Sequence, residues 1–176
     1  CMNTDKICIF TDTGKMHTIK AVDIPLGRFR DKGTPVDNLS NYDSSQERML
    51  YVAPVGQLRS DRLLFVTKTS MCKLVEGAEF DVAKRTIAST KLADEDELIF
   101  IGSASEMEQI VLQSHGGCFL RFLTQEVSTM KKTALGVRGM KLADDDYLEH
   151  AYLLAGHQEY TISYHDKEYA LNKVRL

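Results

Sequence analysis

The stretch Lys91–Phe100, KLADEDELIF, returns fifty positions later as Lys141–His150, KLADDDYLEH, with six of the first eight residues identical. Working outward from this pair, the flanks align too. TIASTKL (Thr86–Leu92) lies over GVRGMKL (Gly136–Leu142), and LLFVTKTSMCKLV lies over IVLQSHGGCFLRF. Two more openings of the same type, ICIFTDTGKMHTIK and YTISYHDKEYALNK, stand near either end. Thr11, Thr67, Ser114 and Tyr164 mark equivalent points, spaced 56, 47 and 50 residues apart. A longer, less acidic copy of the turn, NLSNYDSSQERMLYV, sets Leu39 opposite Leu92 and Leu142. A fixed period of this length is the signature of a repeat array. The register predicts one repeat domain over 1–176, with approximate units 5–60, 61–107, 108–157 and a truncated 158–176.

Each unit reads as four short strands. In the second these are RLLFVT, MCKLVEG, TIASTKL and ELIFIGSA; in the third, QIVLQS, CFLRFL, GVRGMKL and YLEHAYLL. Runs of five to eight residues rich in branched and aromatic side chains, separated by breakers, are strand signals. A four-stranded unit of this size is a propeller blade, so the expected class is all-β. Gly14 and Gly117 hold equivalent places in the first hairpin turn, where a positive φ is cheap for glycine. Ser70 and Lys167 stand there in the other copies, so those turns must differ or carry strain. GAEFDVAKRTIAS has the makings of a helical turn, but its equivalent, LTQEVSTMKKTALG, reads as an extended loop.

Composition narrows the class further. Of the residues 43% are hydrophobic and 27% charged, and the net charge is -3, so any nucleic-acid contact must depend on where charge sits. No apolar run approaches the roughly 20 residues of a membrane-spanning helix, and the N-terminus lacks the pattern of a secretory signal. Cys1, Cys8, Cys72 and Cys118 show no CxxC spacing and read as free thiols of a reducing compartment.

Catalytic constellations are thin. The acidic turns share D-x-D spacing with EF-hand loops but lack the loop's glycine and terminal glutamate; aspartates that cap a blade turn explain them better. The five histidines have no metal-ligand spacing, and Ser114–Gly117 is explained as a hairpin turn. Neither a catalytic centre, a metal site nor a cofactor is expected of this chain.

The basic residues recur in register. A cationic loop precedes the third strand of each unit: Arg28, Arg30 and Lys32 in the first, Lys84 and Arg85 in the second, Lys131, Lys132 and Arg138 in the third. Second strands add Lys73 and Arg121. These ten residues are the expected contacts to DNA. Each unit is basic before its third strand and acidic after it, so an array of units carries a basic stripe able to follow a phosphate backbone. Without tryptophan or a recognition helix, readout would run through phosphates and duplex bending, independent of sequence.

ICIFTDTGKMHTIKAVDIP with KGTPVDNL, LLFVTKTSMCKL, and FLRFLTQEVSTMKKTALGVRGMKLADDD together resemble the C-terminal domain of bacterial DNA gyrase A and of its topoisomerase IV counterpart. The resemblance covers essentially the whole chain. It implies a β-pinwheel, a propeller-like array of four-stranded blades with strands exchanged between neighbours. It also implies a basic perimeter that binds and bends duplex DNA, and membership of an ATP-dependent type IIA topoisomerase (an isomerase). Its partners would be an ATPase subunit, together with the rest of its own polypeptide, in the bacterial cytoplasm near the nucleoid and with no membrane contact. The glutamine-arginine-glycine box that supports wrapping in gyrase is not found in these residues, and there are fewer units than in the gyrase domain. A propeller-type protein-interaction module that has lost DNA binding is the alternative.

Overall fold

The computed structural model describes residues 5–156 and 159–175. β1 (Lys6–Thr11) and β2 (Lys15–Lys20) form a hairpin, with Phe10 opposite Met16 and Gly14 at φ 74° in the turn. The strand β3 (Met49–Pro54) pairs with the other edge of β1. A one-turn helix, α1 (Val55–Leu58), leads into the second hairpin, β4 (Arg62–Thr67) and β5 (Met71–Glu76). Then follow β6 (Thr86–Ala88), β7 (Leu98–Ser103), β8 (Gln109–Ser114), β9 (Phe119–Leu123), β10 (Val137–Arg138) and β11 (Leu148–Leu154). A last hairpin joins β12 (Thr161–Tyr164) to β13 (Lys167–Ala170).

The sheets do not coincide with the sequence units. Their orders are β3-β1-β2-β6, β10-β5-β4-β7, β11-β8-β9 and β12-β13. The third strand of unit 2, β6, completes the sheet of unit 1, and β10 of unit 3 completes the sheet of unit 2. Each of these two blades therefore owns three strands and borrows its fourth from the unit that follows. The fold is an all-β, propeller-like array of four-stranded blades. The equivalent segment of unit 1, around Gly33–Pro35, forms no strand: a strand this short exists only when paired.

Stacking explains the sequence pattern. In β4 and β8 the residues are buried along nearly the whole strand, because each blade is covered on both faces. Such strands read as continuous apolar runs without alternation. Between blades 1 and 2, Phe10, Phe65 and Phe80 form an aromatic cluster; Phe10 and Phe80 meet edge-on at 5.0 Å. Leu64, Ile110, Leu112 and Val127 are part of the core between blades 2 and 3.

The second strand of each hairpin ends in a short 3-10 turn: Ala21–Asp23, Gly77–Phe80, Thr124–Glu126 and Leu171–Lys173. GAEF and LTQE thus both start helically and then run extended, and α1 lies where no helix is expected. Phe80 and Val127 sit at the ends of these turns and plug the interfaces between blades, whereas Ile24, their counterpart in unit 1, is 41% exposed.

The acidic repeat is the crossover between blades. Leu92 packs over the Gly14 turn of blade 1, where a Cβ would lie 3.0 Å from its Cδ1. Within five residues, Asp96 binds the first hairpin turn of blade 2: Thr69 donates its amide to Oδ1 at 3.1 Å and its hydroxyl to Oδ2 at 2.6 Å. In unit 3 the Gly116 amide donates to Asp146 Oδ1 at 2.9 Å. Glu95 and Asp145 take the positive φ of these turns.

Ser70 carries the strain expected of it, at φ 71°, and Met140 N–H donates to its hydroxyl at 2.7 Å. In the last hairpin the positive φ values fall on His165 and Asp166, while Lys167 starts β13. The repeat register thus sets the turn one residue too late there, at Lys167, because this hairpin closes with a two-residue turn of type I′ character.

Candidate nucleic-acid interface

Strand exchange decides where the basic residues go. Contacts between β3 and β7 and between β7 and β11 put these strands at the side shared by neighbouring blades. The borrowed β6 and β10 lie at the opposite edge of their sheets. The loop before each borrowed strand therefore emerges on the outer rim. Lys84 and Arg85 precede β6 and are exposed; Arg138 is exposed within β10. The ladder extends past β6, with Thr18 N–H on Arg85 O at 2.8 Å and Ser89 N–H on Gly14 O at 2.8 Å. Exposed Lys15 stands beside it, opposite Ala88.

The rims of the two blades meet. Lys91 N–H donates to Lys132 O at 3.2 Å, so the tail of the strand borrowed by blade 1 touches the loop that serves blade 2. Lys91, Lys131, Arg138 and Lys141 are exposed, as Lys84 and Arg85 are. Some of this charge is balanced locally. Lys131 Nζ lies 3.4 Å from Glu79, and Arg85 lies 3.9 Å from Asp23. The Arg85–Asp23 pair is exposed on both sides and so is worth little, whereas Glu79 is largely buried. Lys132 is more committed: it is half-buried, its Nζ donates to Glu79 O at 2.9 Å, and its amide donates to Glu79 Oε2 at 3.1 Å.

Arg28, Arg30 and Lys32 are exposed on the loop of unit 1, apart from any borrowed strand. Their turn is closed from within, by Asp31 N–H on Arg28 O at 2.9 Å and Arg28 N–H on Asp31 Oδ2 at 2.7 Å.

Lys73 does not fit the role of a phosphate contact. It is 1% exposed, and its Nζ donates to the carbonyls of Lys131, Lys132 and Ala134 at 3.3, 2.9 and 2.6 Å. Burial pulls its pKa down to about 8 against the attraction of Glu79. Arg121 is half-buried, with its guanidinium on the carbonyl of Val174 and on Gln109 Oε1. The sequence carried one signal of this. Lys73 stands three residues after Ser70 as His17 stands three after Gly14, and Lys73 interrupts an apolar run between Cys72 and Leu74.

Within each unit the basic loop and the acidic turn lie at opposite ends of the borrowed strand, while Lys91, at the head of one acidic turn, touches the basic loop of the next unit. Among the described residues no group of three histidines, cysteines, aspartates or glutamates could hold a metal ion.

A family described as "DNA gyrase C-terminal domain, beta-propeller" matches residues 5–44, 61–105 and 108–155, well over half of the chain. The chain belongs to this family. Each of the three matched segments of this gyrase C-terminal domain carries the hairpin of one blade. The A subunit of DNA gyrase from Salmonella typhimurium is 31% identical over 144 residues, covering 81% of the chain and 16% of that protein. Its counterpart from Lawsonia intracellularis is 27% identical over 159 residues, 89% of the chain and 19% of that protein. The A subunit of DNA topoisomerase 4 from Bacillus subtilis is 30% identical over 148 residues, 82% of the chain and 18% of that protein. The chain thus spans less than a fifth of these curated relatives. The fold is shared with a solved C-terminal domain of DNA topoisomerase IV, at a TM-score of 0.84 and 24% identity over 92% of the chain and 51% of that structure. A DNA gyrase A C-terminal domain superposes with a TM-score of 0.66 and 23% identity, over 93% of the chain and 53% of that structure.

Proposed function

We propose that this gyrase C-terminal-type domain binds duplex DNA through phosphate contacts along the outer rim of its blades and bends it. In the whole protein it would present a duplex segment for strand passage by a bacterial type IIA topoisomerase. The observation that carries the reading is the placement of the basic loops: strand exchange brings those of units 2 and 3, in register, to the same edge of successive blades. A rim of side chains that repeats with the blades matches a polymer whose charges also repeat. Curving the duplex along it exchanges elastic energy for further contacts. Net negative charge does not decide this, since phosphate contact depends on the local placement of charge along the rim and not on its sum. An ATPase partner, the remainder of the polypeptide and a cytoplasmic location belong to the same proposal, as does the assignment of cleavage and ATP hydrolysis to chain outside these residues.

A salt titration with a duplex of arbitrary sequence tests it. The logarithm of the binding constant should fall linearly with the logarithm of salt, with a slope of about -0.9 per neutralised phosphate. Lys84→Glu with Arg85→Glu, and Lys131→Glu with Arg138→Glu, should each flatten that slope. Undetectable binding at low salt overturns the reading in favour of a protein-interaction module, as does binding that these four changes leave intact.

A further inference from the structure

The second strand of each of the first three blades grips the segment arriving from the next unit with a polar side chain. In blade 1, His17 is buried; Nδ1 lies 3.0 Å from the hydroxyl of Thr86 in the borrowed β6, and Nε2 lies 2.7 Å from Glu47. In blade 2, Lys73 occupies the matching place and gathers three carbonyls of the 131–134 turn. In blade 3, Arg121 reaches the carbonyl of Val174. An ammonium held away from water is costly unless its hydrogen bonds are met.

The turns of units 1 and 3 show what Lys73 replaces. With Gly33 aligned on Gly136, Arg28 matches Lys131 and Asp31 matches Ala134. Both form the same turn, with Asp31 N–H on Arg28 O at 2.9 Å and Ala134 N–H on Lys131 O at 3.0 Å. In unit 1 the carboxylate of Asp31 ties the turn together. Ala134 has no polar group to do so, and the polar partner comes instead from the neighbouring blade, as Lys73 Nζ. The ring of Phe65, 5.7 Å away, backs the ammonium on its apolar side.

We infer that Lys73 is a positioning residue: it fixes the 131–134 turn of the following unit and so sets how Lys131, Lys132 and Arg138 are presented on the rim. His17 does the same for Lys84 and Arg85 through Thr86. The inference rests on the duplex-binding reading for its consequence, but not for its geometry. A loop bearing several like charges spreads when untethered, and ordering it at binding costs affinity. A tether that orders it beforehand removes that cost.

Amide hydrogen exchange and duplex titration of Lys73→Met test it, since Met keeps the stem's bulk and removes the donors. Exchange at 131–138 should quicken by about tenfold or more, the loss of at least one hydrogen bond's worth of local protection, while β4 and β8 stay protected. Duplex affinity should fall by a similar factor. In a Lys131→Glu, Lys132→Glu background the same change should cost less than about twofold, because both act through one loop. Adding Ala134→Asp to Lys73→Met should restore protection by the closure seen in unit 1. Unchanged exchange at 131–138 overturns the inference. So does an equal affinity loss in both backgrounds, or a Lys73→Met chain without a cooperative unfolding transition, because the residue then serves the whole array. If the unaltered domain fails to bind duplex, the functional reading falls while the exchange experiment still decides the positioning role.

Discussion

Thr69 donates its hydroxyl to Asp96 Oδ2 at 2.6 Å, across the crossover from one blade to the next. Asp96 also accepts the Thr69 amide, and Asp146 accepts that of Gly116 in the following blade. The last aspartate of each acidic repeat is therefore structural, while Asp94 and Asp144 stand exposed. Asp96→Ala should lower unfolding free energy by about 1–2 kcal/mol, the worth of hydrogen bonds to a charged acceptor near the surface. Asp94→Ala should stay within about 0.5 kcal/mol. Urea unfolding of the two variants checks both.

The repeat made much of this legible. Leu92 and Leu142 set a register from which the hairpins, the turn role of the aspartates and the strain at Ser70 follow. Strand exchange is not written in local pattern: nothing in TIA or VR says which sheet will take so short a strand. Nor did charge alone tell a rim residue from a buried one. Lys73 and Arg138 look alike in a list of cations, yet one lies under the neighbouring unit's turn and the other faces solvent. Burial of a lysine depends on what docks over it, and the docking segment lies 58 residues away.

Glu47 organises the buried polar cluster of blade 1. Thr11 and Thr13 donate to Oε2 at 2.8 and 2.9 Å, and His17 meets Oε1. Burial pushes the Glu47 carboxyl up, but the two threonine hydroxyls and the His17 charge outweigh it, and the pKa ends below its usual value. A depressed carboxylate stabilises the fold above its unfolded pKa, and that contribution is lost as pH falls through the lower folded value. Glu47→Ala should cost about 3 kcal/mol at neutral pH, the penalty of stranding buried partners, and the gap to the unaltered chain should narrow in acid. Thermal unfolding at pH 7 and pH 3 measures this.

Ser70 sets two effects of similar size against each other. Its left-handed φ costs about 1 kcal/mol relative to glycine, and its hydroxyl satisfies the buried Met140 amide. Ser70→Gly relieves the first and loses the second, so it should be nearly neutral. Ser70→Ala keeps the strain and loses the bond, and should destabilise by about 1–2 kcal/mol. A gap of about 1 kcal/mol between the two variants in urea melts is the expected signature.

Burial raises the thiol pKa of Cys8 to about 11 and of Cys72 to about 12, while Cys118 is exposed. Thiolate is the reactive form. Maleimide at pH 7 should modify Cys118 within minutes and leave Cys8 and Cys72 untouched until denaturant is added. Peptide mapping by mass spectrometry reads each site separately.

Lys73 gives the stability of the fold an alkaline signature. Burial holds its pKa at about 8, below the ordinary 10.5, so between these values the unfolded chain binds the proton that the folded chain has released. Stability from this group therefore rises with pH across that window, by up to about 1.4 kcal/mol per unit. Lys73→Met has no such term. The unaltered domain should gain stability relative to Lys73→Met between pH 8 and 10, by about 1–2 kcal/mol. Paired urea melts at these two pH values check the sign. Parallel curves would place the Lys73 proton transition outside the window and its ammonium nearer to water than the three carbonyls imply.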